Sequence, residues 1–392
     1  MDRRQYLQIP GPTNIPDRIL RALSQPLINH RGPEFEELLE TCVTGLKKVF
    51  GTEHDMLLFP SSGSGALESA VVNLVSPGDT IAVGSHGIFS ERVAKIAENF
   101  NVNVIRIEAE WGKAVKAEMI AKVLAEDTEH IIKAVYLPHN ETTSGLQNDV
   151  KSIGLMMKAS GHPALFVVDA ISSMGCLPFE NDKWNVDVCV SASQKGFMLP
   201  PGLSMVAIGE RGWQAYEKST MPKWYWDYKA VWSKMQEGQM PYTPATTLLF
   251  GLKEALAIIE AEGLENTWAR HALMGKATRN AVEALGLTLF AEPGYESDAL
   301  TAFYVPEGFK AKEISALLKD KYDVIIGGGL QQLAGKILRI GHMGAIYKLD
   351  IYAVLGALEM ALAELGCEVE LGTAAKAVAE TFLTDGATGQ KE

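Results

Sequence analysis

From Asp17 to about Glu262 the chain alternates helical hydrophobic patterns with short apolar runs rich in β-branched residues. That alternation confines it to βαβ units built around a mainly parallel sheet, an α/β fold. One helix starts near Ser62 and repeats apolar residues at Ala66, Leu67, Ala70, Val71 and Leu74 until Pro77-Gly78 stops it. Ser90 reads as the N-cap of a second helix, residues 91–100. Strands are expected over residues 131–137, 164–168, 186–190 and 203–208. Before this region, residues 6–16 hold three prolines and one glycine, which predicts an extended arm that is neither helix nor strand. After it, a smaller α+β domain is expected. It comprises a helix over 268–285, strands near 288–291 and 299–305, a helix over 311–321, a strand at 337–340 and a long helix over 350–365. The divisions are an N-terminal arm (1–20), a large ligand-binding domain (21–262) and a small C-terminal domain (263–392), whose polar tail from Thr384 is expected to fray.

The length of 392 residues suffices for a sizeable core, and 47% hydrophobic with 21% charged residues is the balance of a packed globular protein. With a formal charge of −12 and no cluster of Lys and Arg, the chain has no electrostatic footprint for nucleic acid. Cys42, Cys176, Cys189 and Cys367 are scattered without metal-ligand spacing, so reduced, mostly buried thiols and no metal are expected. No apolar segment precedes the first prolines and no apolar run approaches eighteen residues. The expected protein is cytoplasmic, neither secreted nor membrane-spanning.

Three segments carry chemistry. Lys195 leaves the apolar run 186–190 into the turn Ser191-Ala-Ser-Gln-Lys-Gly-Phe-Met-Leu-Pro-Pro-Gly202, a position suited to meeting a ligand. A lone lysine would ordinarily be a solvated surface residue. Asp169 closes the run 164–168, twenty-six residues before Lys195, at the strand end where ligands bind in open α/β sheets. A carboxylate buried there needs a cationic partner, which a protonated ring nitrogen supplies; its other reading is an N-cap for the segment after it. Ser61-Ser62-Gly63-Ser64-Gly65 lies between an apolar run and a helix start, where backbone amides and hydroxyls can cradle a phosphate. It lacks the Gly-Lys-Ser/Thr ending of a nucleotide P-loop and the Gly-x-Gly-x-x-Gly spacing of a dinucleotide fold, so a small phosphate group fits better.

The order of these elements resembles that of the class V, fold-type I pyridoxal 5'-phosphate (PLP) aminotransferases, in particular the serine– and alanine–glyoxylate group. The matching stretches are Pro10-Gly-Pro-Thr-Asn-Ile-Pro16, Ser61-Ser-Gly-Ser-Gly-Ala-Leu-Glu68, His139-Asn-Glu-Thr-Thr-Ser-Gly145, Val168-Asp-Ala-Ile-Ser-Ser173, Ser193-Gln-Lys-Gly196, Pro241-Tyr-Thr-Pro-Ala-Thr246 and Leu338-Arg-Ile-Gly-His342. Each is soft alone; seven in order across nearly the whole chain are specific.

The resemblance implies a Schiff base between PLP and Lys195, which then moves the substrate's α-proton. It implies Asp169 at the pyridine nitrogen and Ser62, Gly63, Ser64 and Gln194 at the phosphate. Thr243 and Tyr242 would join them from the partner subunit of a homodimer, and Thr142 would lie near the phenolic oxygen. Phe89 stands where the family often has a ring-stacking Trp, which keeps the aromatic face and loses the indole donor. Arg339 matches the arginine that grips the substrate carboxylate, its alternative being a structural ion pair between the domains. Arg31 could read a second carboxylate, or form a surface salt bridge. The aromatic run Lys223-Trp-Tyr-Trp-Asp-Tyr-Lys-Ala-Val-Trp232 suits a dimer contact, a substrate entrance or the core. The implied reaction moves an amino group from serine or alanine to glyoxylate, with aspartate–glyoxylate and serine–pyruvate exchange as alternatives. A cysteine desulfurase would need a nucleophilic cysteine that the stretch 327–335 does not have. A non-catalytic PLP-fold subunit is the alternative from another class, and intact Lys195 and Asp169 argue against it.

Overall fold

The computed structural model describes residues 5–386. Seven strands form the larger sheet, in the order Asp55–Phe59, Ser204–Ile208, Val188–Ala192, Leu165–Asp169, Ile132–Pro138, Thr80–Ser85 and Asn103–Glu108. The last five are mutually parallel, whereas Ser204–Ile208 runs antiparallel to both neighbours. Leu57, Val83, Val135, Val167, Val190 and Val206 are shut off from solvent. Strands buried on both faces need layers of helix, and Leu38, Val71, Val93, Ile153 and Leu252, from five different helices, close this core.

Strand direction positions the site. Asp55–Phe59 points the same way as the parallel five, because it is antiparallel to a strand that is itself antiparallel to them. Phe59 therefore leads into residues 61–65, Ser85 into 87–89, Pro138 into the turn holding Thr142, and Ala192 into Gln194 and Lys195, while Asp169 is itself a strand end. Every one of these segments emerges at the same carboxyl edge of the sheet, where open α/β folds bind ligands.

A second sheet, ordered Tyr6–Gln8, Val324–Gly328, Ile337–Gly341 and Leu300–Tyr304, packs with helices on a separate core that includes Met274, Leu318, Leu338, Val354, Leu358 and Val378. Here the expected arm needs correction. Tyr6, Leu7 and Gln8 pair in parallel with Val324, Ile325 and Ile326, since all three prolines of the segment follow Gln8 and the sheet edge offers unpaired backbone groups. The first helix, Asp17–Leu23, follows this segment directly.

Ser90 is not an N-cap. The helix is Ile88–Asn99, and Ser90, inside its first turn, accepts at Oγ from the amides of His86 and Gly87, both at 3.1 Å. The Ser90 amide is met by the Glu141 carboxylate at 3.0 Å, a remote partner that local pattern does not show. The stretch 288–291 contributes one bridge, Leu289 to Phe303, rather than a strand. The last helix, Thr373–Gly386, runs past Thr384, and residues 387–392 lie outside those described. Cys42, Cys176 and Cys189 are buried, Cys367 is half-buried, and all four are unpaired thiols. No described helix is long and apolar enough to cross a membrane.

Candidate active site

Lys195 is only 9% exposed, which removes the surface reading. Its Nζ donates to the Pro10 carbonyl, and the N-terminal segment holds the surrounding backbone: the Thr13 amide donates to Gln194 O at 3.1 Å and Thr13 Oγ1 to Lys195 O at 3.0 Å. Gly11 has φ +90°, and a Cβ there would lie 2.6 Å from Lys195 Cδ. Glycine meets both the left-handed backbone and the close approach. Burial pushes the amine down to about 8; Arg339 adds to that effect and Asp169 opposes it.

Asp169 is half-buried at the end of its strand. Its Oδ1 accepts the Ile171 amide at 2.9 Å, and among the described residues Oδ2 has neither a donor nor an ion pair. Burial raises its carboxyl to about 7, opposed first by the Ile171 amide, with Glu141 adding to the rise. The N-cap reading fails because the next residues form turns rather than a helix.

Ser62 precedes the helix Gly63–Leu74 in extended conformation and is exposed, with its side chain free of any capping bond. A Cβ on Gly63 would stand 2.6 Å from Ile171 Cδ1, so glycine lets this helix begin against the turn after Asp169. Ser64 Oγ accepts from Arg92 Nη1 at 3.0 Å, and Gln194 Oε1 is buried without a partner. Phe89 sits in the first turn of Ile88–Asn99, with the Arg92 guanidinium 4.8 Å from its ring centre.

Arg339, 6% exposed, donates from Nη1 to Thr142 O at 2.7 Å and from Nε to Gly328 O at 2.9 Å. Both partners are backbone carbonyls, and no carboxylate of the described residues pairs with it, which rules out the inter-domain ion pair. Burial pulls the guanidinium down to about 10, opposed by Glu141. Thr142 Oγ1 shares a 2.8 Å hydrogen bond with Ser172 Oγ.

Tyr242 donates to Trp224 O at 2.9 Å and stacks on Tyr225, and neither it nor Thr243 hydrogen-bonds to Ser62, Gly63, Ser64 or Gln194. The aromatic run divides: Trp224 is 80% exposed, Trp226 packs near Phe59, and Tyr228 is fully buried. Arg31 is exposed and gives Nη1 to Gln239 Oε1 at 3.0 Å, in place of the expected salt bridge. Sequence reasoning missed Arg92 and Glu141. The first could have been found from its place one turn beyond Phe89 on the same helical face.

A cluster holding a buried amine, an unpaired carboxylate and two guanidinium groups without carboxylate partners is incomplete as a structural network. Residues 5–345 match the family model for aminotransferase class V. This chain belongs to that family. It is 39% identical to an L-aspartate–glyoxylate aminotransferase of Paracoccus denitrificans, with both chains covered completely. It is 40% identical to a serine–glyoxylate aminotransferase of Methylorubrum extorquens, over 97% of this chain and 96% of that one. The structure of a ureidoglycine–glyoxylate aminotransferase from Bacillus subtilis superposes with a TM-score of 0.91 at 26% identity, covering 98% and 99% of the two chains. The aminotransferase is PLP-dependent and has the fold-type I architecture. The residues present fit that cofactor: unsatisfied Asp169 Oδ2 suits a cationic ring nitrogen, the Ser62–Ser64 turn at a helix start offers hydroxyls and backbone amides to a phosphate, and Lys195 supplies an amine for its aldehyde.

Proposed function

We propose that this aminotransferase takes the amino group from serine or alanine and delivers it to glyoxylate. The observation that carries the reading is Arg339, nearly buried, oriented by two backbone carbonyls and without a carboxylate partner among the described residues. A guanidinium so held is ready to take an α-carboxylate bidentately and fix the amino acid's orientation. Bound PLP supplies an aldehyde to receive the amino group and a ring to accept the electron pair left at the α-carbon. Lys195 Nζ, eased toward its neutral form by burial, takes the proton from the donor's α-carbon and would pass it to the cofactor carbon that receives the amino group. Asp169 would hold the positive charge of the ring nitrogen, Phe89 would offer its face to the ring, Thr142 would supply a hydroxyl near the phenolic oxygen, and Ser62, Gly63, Ser64 and Gln194 would hold the phosphate.

A small neutral donor is favoured over aspartate because a second carboxylate would need a second free cation: Arg31 is exposed and committed to Gln239, and Arg92 donates to Ser64 in the phosphate-binding turn. The aspartate–glyoxylate relative keeps that alternative in the test. The same reading assigns the arm to 1–20, the cofactor domain to 21–262 and the small domain to 263–392. It makes the active unit a homodimer, since Tyr242 and Thr243 make no hydrogen bond to their own chain's cradle. A sedimentation mass near that of one 42.6 kDa chain would remove the dimer.

A half-reaction screen tests the substrate. The visible absorbance of the bound cofactor should change fastest with serine or alanine, more slowly with aspartate and glycine, and then recover on adding glyoxylate. Aspartate as the fastest donor would overturn the assignment. In the same screen Arg339→Ala should raise KM for the donor by about 30-fold or more while leaving PLP affinity nearly unchanged. An unchanged KM removes Arg339 from the site.

A further inference from the structure

The phosphate cradle formed by Ser62, Gly63, Ser64 and Gln194 has no charge of its own. All four residues are neutral, as are Tyr242 and Thr243, and a helix N-terminus contributes only about half an elementary charge. A phosphate monoester carries up to two negative charges, so a neutral cradle leaves most of that charge unbalanced.

Arg92 stands beside it. The residue is half-buried, and its one side-chain hydrogen bond goes from Nη1 to Ser64 Oγ, inside the cradle, at 3.0 Å. No carboxylate of the described residues pairs with it. Neighbouring Glu91 is occupied elsewhere, accepting from Arg106 Nε at 3.2 Å and from Ser85 Oγ. The guanidinium also lies over Phe89, so a single side chain touches both the phosphate-binding turn and the proposed ring-stacking residue. An arginine that is half-buried, unpaired and hydrogen-bonded to an anion cradle retains donors for the anion itself, and its planar fork matches phosphate oxygens.

We infer that Arg92 is the cation that receives the cofactor's phosphate, through Ser64 and its remaining N–H groups. The inference rests on the cofactor reading above. The competing role is a brace for Phe89 alone, through the ring face. The two differ in what they require of the ligand: the first needs the phosphate, the second needs only the ring.

The test uses the full-length chain freed of cofactor and measures affinity for PLP and for pyridoxal, which lacks the phosphate, by quenching of tryptophan fluorescence. Arg92→Met should weaken PLP binding about tenfold or more and leave pyridoxal binding within about twofold, while Arg92→Lys recovers most of the loss. Because both ligands are measured on one protein, damage to the fold cancels in the PLP-to-pyridoxal ratio. If Arg92→Met does not fold, Arg92→Gln keeps a donor for Ser64 without the charge and should show the same collapse of that ratio. A ratio equal to the wild type's, whether both affinities fall or neither does, overturns the inference. A wild-type chain that binds neither ligand refutes the cofactor reading itself and the inference with it.

Discussion

Lys195→Ala should lower turnover by about 10⁴-fold or more, the upper range for a lost general base, with loss of the covalent attachment added. The group removed is a buried amine whose neighbours are a backbone carbonyl, a glycine and three charged side chains, Arg339, Asp169 and Arg92, with no second lysine of the described residues in this cluster to replace it. Borohydride treatment of the wild type should fix cofactor mass on the peptide carrying residues 193–196, and the variant should carry none. The pH dependence comes from the same environment. The amine is neutral above about 8 and protonated below, so capture of PLP by the cofactor-free chain should quicken as pH rises through that value and then level off. Residual activity above about one part in a hundred, or labelling at another lysine, would refute the assignment.

The sheet's carboxyl edge was legible in the sequence because β-branched runs and the turns closing them are local features. Asp169 closes such a run and Lys195 follows one, so both could be placed before any contact was known. Pairing partners are not local. The antiparallel placement of Ser204–Ile208 between Asp55–Phe59 and Val188–Ala192 has no signature in its own residues, since a buried strand reads the same in either direction. Tyr6–Gln8 became a strand only because Val324–Gly328 gives it an edge, and that strand is itself hard to read, ending in two glycines directly after a helix. Arg92 and Glu141 were overlooked for a different reason. Charged residues in a helix's first turns or in a turn ordinarily face water, and their burial depends on what the tertiary fold brings over them. Glu141, fully buried, meets the Ser90 and Thr143 amides at 3.0 Å, tying the segment that bears Phe89 to the one that bears Thr142.

Asp169→Asn should reduce kcat by about 10³-fold while adding stability to the cofactor-free chain, and the opposite signs identify its role. Asparagine fills the same volume and can still accept the Ile171 amide, so the loss of rate reflects the missing negative charge at the ring nitrogen. In the cofactor-free protein that charge is a burden. Burial raises the carboxyl from its ordinary 3.8 to about 7, so the folded state binds the proton more tightly than the unfolded chain does. Stability therefore falls as pH rises from about 4 to about 7 and stays low above. Asparagine has no proton to lose. At pH 8 the cofactor-free variant should exceed the wild type in unfolding free energy by about 1 kcal/mol or more, and the difference should shrink toward pH 4. With PLP bound the order should reverse, because the cation at the ring nitrogen then offsets the buried carboxylate in the wild type alone. Chemical unfolding at both pH values, with and without cofactor, measures all four quantities. A variant less stable than the wild type in the cofactor-free state at pH 8 would show that Asp169 serves the fold rather than the chemistry.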